Sequence, residues 1–109
     1  MQRQGDVLIM DVDEIPEEAE EMKRDDLGRI VLADGEITGH SHVIRSRQVR
    51  AYQTATAIYL AVVQQSILEH LTRENIPTKE HDGIPLTPGK KMVVRQFEYT
   101  PKGVRRVED

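Results

Sequence analysis

Apolar residues in this chain come in short runs, each stopped by glycine, proline or an Asp/Asn turn signal, and that spacing restricts the possible folds severely. Residues 7–10 (VLIM) follow Gly5-Asp6, residues 29–33 follow Asp26-Leu27-Gly28, and residues 40–44 follow Gly39. Runs of four to eight residues rich in Val, Ile and Leu between turn signals read as strands. Residues 7–10 are apolar enough to be buried on both faces, residues 49–52 form a further short strand, and residues 90–99 give the clearest strand of all. Residues 55–74 fit two patterns. Ala57, Leu60, Ala61, Ile67, Leu68 and Leu71 make a helical stripe, yet residues 57–63 and 67–71 also read as two strands, and the short strands on either side favour the second. The expected fold is all-β and mainly antiparallel: a small sandwich or barrel of short strands.

A chain of 109 residues makes a single domain over residues 1–109 with one modest core. With one Phe, three Tyr and no Trp, that core rests on Ile, Val and Leu. A core this thin favours completion by a second copy, so a homodimer is expected. The absence of Cys removes disulfides, thiolate metal sites and thiol nucleophiles together. No signal-peptide core and no membrane-length apolar run occurs, so a soluble, cytoplasmic chain with no membrane partner is expected. The net charge of −4 is unevenly spread: residues 1–26 carry ten acids against three bases, and the rest nine against twelve. The acidic stretch at 11–28 reads as a mobile loop or a single helical turn, and residues 102–109 as a charged, frayed tail. A mildly basic body suits a compact anionic ligand and not a long nucleic-acid track.

Two of the four histidines stand at His40 and His42, directly after Thr38-Gly39. On a strand, alternation puts both on one face with Ser41 opposite. His81, beside Glu80 in the Pro- and Gly-rich loop 80–89, is expected to converge on that pair. His70, between Glu69 and Leu71, reads as structural or exposed. Three uses of the His-x-His are open: the polar face of a surface strand, half of a metal site, and a proton-transfer site. The carboxylate that usually follows His-x-His in a metal-binding barrel is missing, and Arg45 and Arg47 stand there instead. A His-rich site completed by His81 and Glu80 remains a way to bind metal.

Proton transfer suits the residue types. Cleaving an RNA phosphodiester through its own 2′-hydroxyl needs a base, an acid and positive charge near phosphorus. Imidazole, with an ordinary pKa of about 6.5, serves both proton roles near neutrality. Lys79 or an arginine supplies charge, and Glu80 can hold an imidazole tautomer. No phosphate loop and no nucleophile elbow is present. Substituting His40 or His42 is expected to cost activity and not folding, on the premise that a polar strand face contributes little to a core.

The motifs Gln4-Gly5-Asp6-Val7-Leu8, Gly35 to His42, Glu80-His81 with Ile84-Pro85-Leu86-x-Pro88-Gly89, and Arg95 to Pro101 resemble those of a family of small proteins from bacteria and their phages. Within it the chain is similar to the β-rich, dimeric, metal-independent ring nucleases linked to type III CRISPR systems, which degrade cyclic oligoadenylates. That resemblance implies catalytic roles for His40, His42 and His81. Together with the residue chemistry it gives an expected site in which Glu80 orients, Thr38, Lys79, Arg45, Gln96 and Tyr99 bind a cyclic oligoadenylate or related nucleotide, and no metal or other cofactor takes part. The alternatives are a binding module that sequesters a nucleotide or protein without turnover, and a His-rich metal protein.

Overall fold

Side-chain burial follows the two-residue period of a half-buried strand. In β2 (Val7–Asp11) Val7 and Ile9 are buried while Leu8 and Met10 are only half covered, so this run faces one core and is not buried on both faces as expected. The computed structural model describes residues 1–34, 39–95, 97–100 and 103–106, the last two segments by their backbone. Every strand pairing within them is antiparallel, and no helix occurs among the described residues. The first sheet runs in the order β1 (Gln2–Gln4), β2, β10 (Gly89–Arg95), β7 (Ile58–Val62), β6 (Val49–Gln53), β3 (Glu20–Glu21). The second runs β4 (Ile30–Asp34), β5 (Ser41–Ile44), β8 (Ser66–Leu71), β9 (Ile84–Leu86). Residues 55–74 are therefore two strands. A separate hairpin joins β11 (Phe97–Thr100) to β12 (Gly103–Arg106).

The core draws on both sheets: Val7, Ile9, Val49, Ala51, Leu60, Val62 and Val93 from the first, and Ile30, Leu32, Ala33, Ile44, Leu68 and Leu86 from the second. Two antiparallel sheets sharing one core make a sandwich. One side of it is drawn together by side chains instead of a ladder. Gln2 Nε2 donates to Pro85 O (2.9 Å) and Gln4 Nε2 to Leu68 O (3.0 Å), tying β1 of the first sheet to β9 and β8 of the second. On another side Arg24 spends its guanidinium on the carbonyls of Gly28, Ser46 and Val49.

Several short elements depart from expectation. Glu20–Glu21, in the acidic stretch, pairs with β6, and Met22 N continues the ladder to Ala51 O (2.8 Å), so the second half of that stretch is attached to the sheet. The stretch 84–86 is a strand inside the loop 80–89. Residues 90–99 are not one strand: β10 ends at Arg95, and β11 pairs with β12, which lies in the tail expected to fray. The dipeptide Asp34-Gly35, a tight-turn signal in the sequence, lies partly outside the described residues.

Two local features aim the site. The Gly5-Asp6 link between β1 and β2 has Gly5 at φ +58° and pairs Gln4 with Val7, a two-residue hairpin that suits glycine at its first position. In β4 the register with β5 slips between Val31 and Ala33, so Leu32 is an extra residue and Ala33 stands opposite His42. Such bulges re-aim side chains.

Candidate functional site

Along the inner face of the second sheet the core changes character. Ile44 and Leu68 are cross-strand partners, and two residues further along each strand His42 stands opposite His70 on the same face. Both histidines are buried, His42 completely. The apolar core thus gives way to imidazole at one end of the sandwich. His81 follows from a turn: Thr72 N bonds to Ile76 O (2.8 Å), Asn75 takes φ +66°, and the chain doubles back so that Leu71 bridges Pro77 and Thr78 N reaches His70 O (2.9 Å). Residues 79–82 then pass over the histidines.

All four rings meet, with His70 as the hub. Its centroid lies 4.7 Å from His42, 4.7 Å from His81 and 5.2 Å from His40, while His42 and His81 are 6.2 Å apart. The expected convergence of His40, His42 and His81 is therefore present, and His70, read from sequence as structural or exposed, is buried at its centre. The four are unequal: His42 and His70 are interior, whereas His40 and His81 are partly exposed.

His42 is held from the first sheet. Gln4 Nε2 donates to two carbonyls, Leu68 O at 3.0 Å and Asp82 O at 2.8 Å, which fixes the amide so that Oε1 faces His42 Nδ1 at 2.8 Å. An amide oxygen only accepts, so Nδ1 carries the proton. On the other side of the ring Asp6 Oδ1 lies 3.6 Å from Nε2. Asp6 is wholly buried and is balanced by Arg95, whose Nε donates to Oδ2 at 2.6 Å. A buried carboxylate needs such a partner. With no exposed surface, His42 cannot touch a substrate. It lies in the interior against His70 and His81, where the sequence reading put it on a polar strand face.

Nearer the surface, His40 Nδ1 faces Glu80 Oε2 at 3.2 Å, the orienting contact expected of Glu80. His70 Nδ1 faces Thr78 Oγ1 at 2.5 Å. His40, His70 and Glu80 can each bring one ligand atom within 4.8 Å of the others, the donor set of a metal site. Lys79 is exposed on the same segment as Glu80 and His81.

The remaining expected site residues fare differently. Arg45 makes a two-pronged ion pair with Glu69, at 2.7 Å for each prong, on the strand face opposite His42, and this carboxylate holds its guanidinium above its ordinary pKa. Thr38 and Gln96 lie outside the described residues, as does the side chain of Tyr99. Sequence reasoning missed Gln4, Asp6, His70, Thr78 and Arg95. Polar residues flanking a tight turn are ordinarily exposed, so nothing local marked Gln4 and Asp6 as buried.

A family model described as "Domain of unknown function (DUF8820)" matches residues 3–96. The chain belongs to that family. The matched span contains every residue of the histidine cluster and the Asp6–Arg95 pair beneath it. No curated protein and no solved structure gives a significant match. No helix among the described residues is long and apolar enough to cross a membrane.

Proposed function

We propose that this protein is a phosphodiesterase that opens cyclic oligoadenylates through their own 2′-hydroxyls, with His40 and His81 as the proton-transfer pair. The observation that carries the reading is that these two partly exposed imidazoles, from distant parts of the chain, both rest on the buried His70 ring. Glu80 accepts a hydrogen bond from the Nδ1–H of His40, which puts the basic lone pair on Nε2, the arrangement by which a carboxylate sets a catalytic tautomer. His42, His70, Gln4 and Asp6 keep the pair in place.

In the proposed step one imidazole removes the proton of a 2′-hydroxyl, the oxygen attacks the adjacent phosphorus, and the bond to the 5′-oxygen breaks. The second imidazole protonates that oxygen. The products are linear, with a 2′,3′-cyclic phosphate at one end and a 5′-hydroxyl at the other. Lys79 meets the phosphate charge. The nucleophile belongs to the substrate and both proton carriers to the protein, so the chemistry requires no ion. A twofold dimer would match the symmetry of a cyclic oligonucleotide, and homodimerisation is part of the proposal. The same substrate class is what the resemblance read from the sequence motifs implies.

The test is incubation with cyclic oligoadenylates in EDTA, followed by chromatography. Linear products are expected from the wild type, with rates lower by roughly 10²–10⁴-fold for His40→Ala or His81→Ala. Binding without turnover would make the protein a sequestering module and overturn the catalytic reading.

A further inference from the structure

We infer that the histidine cluster is also a binding site for a transition-metal ion of the zinc class, with His40, His70 and Glu80 as ligands. Two imidazoles and a carboxylate form a donor set typical of zinc, and their ligand atoms lie within 4.8 Å of one another. The separation of His40 Nδ1 from Glu80 Oε2, 3.2 Å, is the spacing an ion would impose: arms of about 2.0–2.1 Å in a tetrahedron put neighbouring ligand atoms roughly 3.3 Å apart. An ion here replaces the proton those two groups share.

A further observation points the same way. A metal-binding imidazole characteristically engages its second nitrogen with an oxygen, which fixes the ring and its tautomer. His70 does this: Nδ1 faces Thr78 Oγ1 at 2.5 Å, and Thr78 is itself anchored by its backbone N–H to His70 O at 2.9 Å. With Nδ1 turned to Thr78, Nε2 is the His70 atom that would ligate the ion. The nitrogen-rich set disfavours magnesium and calcium, which take oxygen ligands.

The site shares His40 with the proposed phosphodiesterase, so a bound ion and proton transfer are alternatives: zinc should suppress cleavage and EDTA restore it. That consequence rests on the phosphodiesterase reading, whereas metal binding does not, and a measurement without substrate separates the two. The experiment is calorimetric titration of the full chain with zinc chloride and with magnesium chloride, alongside visible absorption on adding cobalt(II). One equivalent of zinc per chain, visible cobalt bands and no response to magnesium are expected. Glu80→Gln and His40→Ala, both at groups with solvent exposure, should each weaken zinc about tenfold or more, and Thr78→Val by roughly 10–100-fold. Circular dichroism shows whether each variant keeps its strands. The inference is overturned if zinc does not bind, or if folded Glu80→Gln and His40→Ala bind it as tightly as the wild type.

Discussion

Replacing Gln4 by alanine would strand three polar groups at once: the carbonyls of Leu68 and Asp82 and the Nδ1–H of His42. An unsatisfied buried group costs about 1–3 kcal/mol, and water entering the space recovers part of that. Gln4→Ala is therefore expected to lose about 2–4 kcal/mol of stability in a denaturant titration. Gln4→Glu should also destabilise, because it sets an acceptor against two carbonyls. The same reasoning separates His42 from His40 although two positions divide them. His42→Ala opens a cavity in a fully buried position and orphans Gln4 Oε1, so it should cost about 2–4 kcal/mol. His40 is partly exposed, and His40→Ala should stay within about 1 kcal/mol while abolishing most turnover. Equal melting temperatures for the two variants would contradict this division between support and chemistry. It reverses the expectation that either histidine could be removed without cost to folding. His-x-His shows which face two side chains share and says nothing of how deep that face runs.

At the level of elements, the loop leading into β4 depends on Asp25. Its carboxylate accepts from Leu27 N (3.1 Å) and Arg29 N (2.8 Å) and pairs with the Arg29 guanidinium, whose Nη1 also reaches Asn75 Oδ1 at 2.9 Å in the turn after β8. Partial burial pushes the Asp25 pKa up, but the hydrogen bonds and charge of Arg29, with Leu27 N–H, outweigh it and leave the carboxyl below its ordinary 3.8. A depressed carboxyl contributes stability above its unfolded value and loses it as the pH falls through the folded one. Melting followed from pH 6 down to about pH 2 should show less acid sensitivity in Asp25→Asn than in the wild type, and identical slopes would rule the contribution out. Strands long enough to show apolar runs, such as β2, β7 and β8, were legible in the sequence. The two to four residues of β1, β3, β9 and β12 were not, because they are strands only by virtue of a neighbour's ladder. His70 was illegible as a site residue for a related reason. Its place follows from the register of β5 on β8, which no local pattern contains.

For the whole molecule, the two sheets bring together groups that the sequence keeps far apart. Asp6, in the turn before β2, pairs with Arg95 at the end of β10, and Glu80 returns to His40 from beyond β8. The all-β fold could be read from turn spacing, but a buried carboxylate and its counter-ion look like ordinary surface charge until the strands are placed. Sedimentation at micromolar concentration should show a dimer. A monomer of 12.5 kDa would remove the twofold dimer from the proposal, leaving the histidine cluster of each chain unchanged. The central claim is that the substrate's own 2′-hydroxyl is the nucleophile and that imidazoles move the protons. The most direct measurement compares, in EDTA, the rates at which the wild type opens a cyclic oligoadenylate and its 2′-deoxy counterpart. The account predicts that the ribose ring is opened to a 2′,3′-cyclic phosphate and the deoxy ring is left intact. Cleavage of both at the same rate would contradict it.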